Sequence, residues 1–502
     1  MVAATWLSSV LFVLAFPQYG DVCGLDWLVW LCLVPFFLAT IGAGFRRGAF
    51  LGYFLGVGIE GAGFLWIYRS ILAYGGDLPF GVGPLFFLVW LAGASLVWAA
   101  LGAALGRCRD LRAALWVLPF WVGLEHFFPR LWPWHIGGAV HARMWLVQNA
   151  DLFGASGLSF LVLFANWVGA CSLRWVARRG SFPRIGAPIL VVLLIAANLY
   201  GAYRLDFLQR FEAAREPLRA LLVQGALASE FRRERGLEYY RATTAAAREG
   251  EPPVDLVVWP EGAIPVGFDL TRGSDPWIAC DHFKVERPTF DVPLIAGSAG
   301  WVSGRVPEQS NIAVYLQPGA APQFYEKMSR VPFGERVPFE SLIGSLGFPI
   351  GNISAGESSP LMALGENQFR CLVCYEVILP DFVRVQSHGV DFFVNLTEDI
   401  WYGLTAHIPQ HLSVLRLRVI ENRTPLVRCP NIGPAGVCSI TGNFDGGSHI
   451  FSPEELVREF RPGSAWSLYK AGGWAFPVVM LVLAGVRFGF LRRRSINISA
   501  PR

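Results

Sequence analysis

Three side chains of complementary chemistry lie at the ends of short apolar runs. Glu261 closes Asp255-Leu-Val-Val-Trp-Pro-Glu261, and Cys374 closes Arg370-Cys-Leu-Val-Cys374. Lys327 follows the apolar run 311–317, in Tyr325-Glu-Lys-Met-Ser-Arg-Val-Pro-Phe-Gly-Glu335. The thiolate is the attacking form of cysteine, and a nearby cation favours it. A carboxylate can take the thiol proton and later return one to a leaving group. An ammonium can stabilise a developing oxyanion. Taken singly, a strand-end Glu is more often a surface residue and a strand Cys more often core. The three together make a nucleophilic kit.

The scarcity of lysine sharpens the second member. Of 42 Lys and Arg residues, only Lys284, Lys327 and Lys470 are lysine. Where Arg serves for generic positive charge, a Lys stands out, because an ammonium can do proton chemistry that a fixed guanidinium cannot. The nine cysteines are scattered. Cys371 and Cys374 form a lone C-x-x-C with no second pair at zinc spacing, so no metal or other cofactor is expected.

Elements to position these groups can be read from periodicity. Residues 215–466 alternate short apolar runs (218–224, 255–260, 293–298, 311–317, 369–375, 389–395 and 425–430) with helix-like stretches at 230–248 and 407–422. The second stretch puts Ile408, Leu412, Leu415 and Val419 on one face. Strands alternating with helices predict an α/β layered domain, with chemistry at strand ends. A third strand end, Asp391-Phe-Phe-Val-Asn395-Leu-Thr-Glu-Asp-Ile-Trp401-Tyr-Gly403, leads into a polar, aromatic loop.

The rest of the chain is of another kind. It is 53% hydrophobic and only 16% charged overall, with mean hydropathy +0.42. That excludes an ordinary soluble globule and a disordered chain. Eight apolar runs (5–16, 25–41, 48–67, 82–105, 115–128, 156–176, 185–203 and 473–491) approach the roughly 20 residues that cross a hydrocarbon core. Arg clusters at 46–47, 107–112, 174–184 and 492–494 alternate with Arg-poor loops. By the positive-inside rule this predicts eight spans, both termini in the cytoplasm, and 215–466 facing outward. The organisation expected is a seven-helix membrane domain (1–210), a catalytic domain (215–466), and a last helix with a basic tail (470–502). Residues 215–466 hold 22 basic and 29 acidic residues, the remainder 20 and 9. The formal charge of +4 thus conceals an acidic outward domain on a basic membrane part. Glu60 and Glu125 are expected to sit near helix ends or to pair with a neighbour such as Arg69. Trp132 and Trp134 fit an interfacial belt or a lipid entry path. A nucleic-acid role is disfavoured, since the basic residues cluster at span ends.

The ordered motifs Val-Val-Trp-Pro-Glu261-Gly, Tyr-Glu-Lys327 and Cys374-Tyr-Glu resemble the nitrilase (carbon–nitrogen hydrolase) superfamily. With the flanking spans, the whole chain is similar to its membrane-embedded branch, the bacterial apolipoprotein N-acyltransferases. Arg330-Val-Pro-Phe-Gly-Glu-Arg-Val-Pro-Phe339, Asp151-Leu-Phe-Gly-Ala-Ser-Gly-Leu-Ser-Phe160 and Trp66-Ile-Tyr-Arg-Ser70 also look familial. The resemblance implies an αββα sandwich on the periplasmic face of the inner membrane. It implies acyl transfer from a phospholipid, through a Cys374 thioester, to the free α-amino group of a diacylglyceryl apolipoprotein. Glu261 would be base and acid, and Lys327 would hold the oxyanion with the Tyr375 N–H. Glu335 and Glu376 would be supporting carboxylates and Tyr375 would shape the pocket. Trp259, Phe339, Asn395 and Trp401 would contact substrate, with 337–350 and 400–402 as apolar loops over the site. The chain departs from the family pattern at Glu398, where Asn is commoner, and after Gln224, where Phe231 or an Arg stands in the region of an expected Trp. The turn after Arg428 also departs. The competing readings are a membrane-tethered amidase acting on a soluble substrate and a non-catalytic membrane scaffold.

Overall fold

The computed structural model describes residues 1–17, 25–75, 81–249, 253–265, 267–270, 291–336, 353–447 and 449–498. Helices occupy all eight apolar runs. Among the described residues, three are long and apolar enough to cross a membrane: Val82–Gly106, Ala150–Val176 and Gly186–Ala213. A fourth arises if Phe45–Gly63 and Trp66–Ala73, which meet at 60°, count as one broken span. Val2–Ala15, Asp26–Thr40 and Ala475–Arg487 are shorter apolar helices. Lipid gives helices no hydrophobic reason to associate, so close packing must hold them. Phe45–Gly63 and Leu96–Gly106 pack backbone to backbone through Gly48, Gly52 and Gly102. A Cβ on Gly48 would lie 2.3 Å from the Gly102 carbonyl oxygen.

Glu60 and Glu125 are buried in this bundle. Glu60 accepts from Trp98 Nε1 (3.1 Å) and Glu125 from the Ile136 N–H (2.7 Å). The cation that interacts with both is Arg130 rather than Arg69. Trp132 and Trp134 are core side chains, 6% and 2% exposed, and not an interfacial belt. Trp134 packs on Phe12, Phe16 and Phe64, and Trp132 on Trp66.

The remainder is a two-sheet sandwich. Its strands are β1 (Leu218–Gln224), β2 (Leu256–Val258), β3 (Phe268–Asp269), β4 (Leu294–Trp301), β5 (Gln309–Leu316), β6 (Gln323–Glu326), β7 (Met362–Leu364), β8 (Asn367–Val373), β9 (Phe392–Thr397), β10 (Leu426–Pro430), β11 (Gly436–Cys438), β12 (Phe444–Gly446) and β13 (Glu454–Phe460). One sheet runs β13-β1-β2-β4-β5-β6 with β3 beside β4; the other runs β12-β11-β10-β9-β8-β7. The central pairs β1–β2, β2–β4, β8–β9 and β9–β10 are parallel. Such strands are covered on both faces and read as continuous apolar runs. Alternate residues divide between two cores. Ala220, Leu222 and Val258 meet Val373, Val394 and Val427 between the sheets. Leu221, Val223 and Val257 turn outward to Leu237 and Tyr240 of the helix Ser229–Arg248.

The outer face of the second sheet is covered by Pro380–Gln386 and His407–Asn422, and this layer is also the seat on the membrane helices. One apolar cluster runs from Leu372, Phe393 and Leu426 through Leu415 and Val419 into Leu158 and Val162 of Ala150–Val176. Arg423, fully buried, binds Asp151 Oδ2 (2.9 Å), Gln148 Oε1 (2.7 Å) and the Gln148 carbonyl (3.0 Å). The Ala155 N–H donates to Glu421 Oε1 at 2.8 Å.

Candidate active site

Glu261, Lys327 and Cys374 each stand one to three residues beyond a strand, and the sandwich brings those ends together. Glu261 follows β2 in a turn that lies directly on β4. A Cβ at Gly297 would come within 2.5 Å of the Glu261 Cα, so that position requires glycine. Lys327 follows β6, where its N–H donates to the Asn311 carbonyl at 2.8 Å. Cys374 follows β8 and opens a 3₁₀ turn with φ of +52°. A left-handed non-glycine residue is strained, and such strain persists where the surroundings over-determine it. Here the turn is bound by Glu376, whose Oε2 accepts the Val373 N–H at 2.8 Å.

Lys327 and Cys374 are buried, Glu261 is partly buried with its Oε2 enclosed, and the three interact electrostatically. Glu261 Oε1 accepts from Asn311 Nδ2 at 2.6 Å, while its Oε2 is buried and has no hydrogen-bond partner among the described residues. Burial, opposed by Lys327, pushes the Glu261 carboxyl up to about 7. Burial alone would favour a neutral Lys327, but Glu335, Cys374 and Glu261 outweigh it and hold the ammonium charged. Lys327 Nζ donates to Glu335 Oε1 at 2.7 Å, and Glu335 Oε2 accepts the Val331 N–H at 2.8 Å. Burial raises the Cys374 thiol well above its usual range, so the resting group is a thiol. A base near neutrality, a fixed cation and a thiol in one dry site can carry out acyl transfer.

Glu376 has a different task from the triad. It accepts the Tyr325 hydroxyl (2.7 Å), the N–H groups of Met328 (2.8 Å) and Ser329 (2.9 Å), and the Val373 N–H. It therefore ties the segment after Lys327 to the turn that holds Cys374. Removing it strands buried donors. Glu376→Ala is expected to cost about 2–4 kcal/mol, and Glu376→Gln less than half of that. The melting midpoints of the purified variants measure this.

The remaining expected site residues divide. The Tyr375 hydroxyl leaves the site and donates to the Leu131 carbonyl at 2.8 Å, tying the nucleophile turn to the helical part. Burial pushes its phenol up to about 12. Trp401 lies in the 3₁₀ turn Ile400–Tyr402 and packs against the shared core. Phe339 and 337–350 lie outside the described residues. Trp259 is a core side chain. It alternates to the outer face of β2, where it is fully buried, stacks on Tyr240 and donates to Thr244 Oγ1 at 2.9 Å. Asn395 is likewise internal, donating to the Leu372 carbonyl (3.0 Å) and accepting from Arg428 (2.8 Å).

Sequence reasoning passed over the support beneath Cys374. Thr397 hydrogen-bonds the thiol and donates to Asp399 Oδ1 at 3.3 Å. Asp399 also holds Arg428 at 2.6 Å and the His411 ring at 3.2 Å. Its only signal was alternation along Asn395-x-Thr397-x-Asp399. Asp399, His407 and His411 have ligand atoms within 4.8 Å of one another. Both carboxylate oxygens are already engaged, and the guanidinium beside them opposes a dication, so the set fits a metal poorly.

Residues 222–465 match the carbon–nitrogen hydrolase family, and residues 8–168 match the apolipoprotein N-acyltransferase N-terminal domain. The chain is 31% identical to the apolipoprotein N-acyltransferase of Geobacter metallireducens, covering 98% of this chain and 95% of that one. It is 29% identical to the enzyme of that name from Brucella suis biovar 1 (91% and 88% covered). It is 28% identical to that from Chlorobaculum tepidum (96% and 94%). Strand-end chemistry, a nitrilase-type sandwich and an apolar helical part thus converge with full-length similarity: the chain belongs to the apolipoprotein N-acyltransferase family.

Proposed function

We propose that the protein takes an acyl chain from a membrane phospholipid onto Cys374 as a thioester. It then passes the chain to the free α-amino group of a diacylglyceryl apolipoprotein. Lipoprotein N-acylation at a bacterial inner membrane follows from the family; the donor, the covalent intermediate and the periplasmic orientation are the proposal. The observation that carries it is the meeting of Glu261, Lys327 and Cys374 in one site whose nucleophile turn is bonded to the helical part through Tyr375 and Leu131.

The steps balance. Glu261 takes the thiol proton, and the sulfur attacks the ester carbonyl of the donor. The tetrahedral oxyanion forms against the Lys327 ammonium and the Tyr375 N–H. Collapse breaks the ester bond, and Glu261 returns its proton to the departing alkoxide, releasing lysophospholipid. The acceptor amine then attacks the thioester, Glu261 takes its proton, and collapse forms the amide and frees the thiolate, which Glu261 reprotonates. Water must be kept out between the two halves, or the thioester hydrolyses. The aromatic wall of Tyr402, Trp66 and Trp132 suits that need. The same wall and the lipid-facing helices weigh against an amidase for soluble substrates.

Purified protein incubated with acyl-labelled phospholipid is expected to carry label that hydroxylamine removes. Adding a diacylated lipopeptide with a free amino terminus should move that label onto the peptide as an amide. Hydroxylamine-resistant label would sink the thioester. Free fatty acid as the sole product would make the protein a lipase.

A further inference from the structure

Glu261 adjoins a cleft as well as the nucleophile. The cleft holds about 360 Å³ and has a mixed lining, with Arg232, Gln309, Asn311 and Glu335 beside Ile264, Pro265 and Ile353. Gln309 and Asn311 alternate onto the same face of β5, and Asn311 is the residue that holds Glu261 Oε1. The second oxygen of this carboxylate, Oε2, is buried and has no hydrogen-bond partner among the described residues. The opposite surroundings of the thiol are aromatic: Tyr402, which interacts electrostatically with Cys374, packs on Trp66 and His407.

The two sides suit different parts of the reactants. A cleft that sets Arg, Ser, Gln, Asn and Glu among Ile, Pro and Ala would strand polar groups against an acyl chain, which gains most where the surface it meets is wholly apolar. A peptide backbone brings donors and acceptors that such a cleft can satisfy. The amine that must reach the thioester and shed a proton to Glu261 has to arrive beside that carboxylate, which this cleft adjoins. Arg232 forms an ion pair with Glu398 and donates to the Glu261 carbonyl at 3.4 Å, and Glu398 accepts from Asn431 Nδ2 at 2.9 Å.

We infer that this cleft is the acceptor's peptide subsite: it takes the residues that follow the diacylglyceryl cysteine, leaving the acyl chains to the aromatic side. The inference rests on the acyl-transfer reading above and names where one of its substrates lies.

The test fills the cleft away from the triad. Gln309 is exposed at the start of β5, so Gln309→Trp narrows the cleft without disturbing a core. Two acceptors are compared on the full-length protein in detergent: a diacylated lipopeptide of several residues, and S-diacylglyceryl cysteine amide with no peptide. The unaltered protein is expected to favour the lipopeptide in kcat/KM. Gln309→Trp is expected to lose about tenfold on the lipopeptide and little on the cysteine amide. Acyl-enzyme formation from labelled phospholipid should be unchanged. Equal loss on both acceptors, or slowed acyl-enzyme formation pointing to the donor headgroup, overturns the assignment. Absence of acyl-enzyme in the unaltered protein would instead remove the reading beneath it.

Discussion

Cys374→Ala is expected to carry no acyl label and to lose roughly 10⁴–10⁶-fold in transfer rate, the scale on which removing a covalent nucleophile acts. No neighbour can take over the attack. Cys371 is buried in the core between the sheets, and burial raises its thiol well above the usual range. Thr397 is committed to Asp399. The fold should survive the change. Ala and Cys bear the same left-handed φ at this position, and the turn is held by Glu376 rather than by the sulfur. The melting midpoint should therefore stay within a few degrees of the unaltered protein, a small shift for the loss of one buried atom. Labelling that persists in a folded Cys374→Ala protein would place the nucleophile elsewhere and end the thioester reading.

Much of this architecture was legible in the chain because the physics that builds it is local. Parallel strands buried on both faces are apolar throughout, and β1 was bounded at 218–224 and the helix His407–Asn422 at 407–422. The short and edge strands were not visible. β13 reads Glu-Glu-Leu-Val-Arg-Glu-Phe, an alternating charged edge, and β3, β7, β11 and β12 hold two or three residues each. No period can be counted over so short a run. The triad was legible through residue type at strand ends. Its support was not, because it is tertiary. Glu376 reaches Met328 and Ser329 across nearly fifty residues, and Arg428 reaches Asp399 from another strand. Trp259 illustrates the converse. The resemblance put it among the substrate contacts, yet it packs with Leu221, Val223 and Val257 in the core beneath the helix Ser229–Arg248, stacked on Tyr240.

Glu261→Gln separates positioning from proton transfer, and its effect should be nearly as large. The amide keeps the size of the side chain and can still face Asn311 through its oxygen, but it cannot accept a proton. Loss of a positioned base typically costs 10²–10⁴-fold, and here the same group serves both half-reactions, so a loss toward the upper end, about 10⁴-fold, is expected in transfer. With the carboxyl pushed up to about 7, the rate of acyl-enzyme formation in the unaltered protein should climb as the pH rises through that value and then level. Glu261→Gln should lose this limb altogether. Stability should run the other way. A carboxyl raised from 4.5 to about 7 binds more protons folded than unfolded between those values. The unaltered protein therefore loses stability across that window as its buried carboxylate ionises. Glu261→Gln does not titrate, so its melting midpoint should overtake that of the unaltered protein as the pH passes from 4.5 toward 7. Parallel melting curves together with a retained pH limb in the variant would show that Glu261 is neither the raised group nor the base. A retained limb with crossing stability curves would leave it raised but assign proton transfer to another carboxylate, with Glu335 next in reach of Lys327.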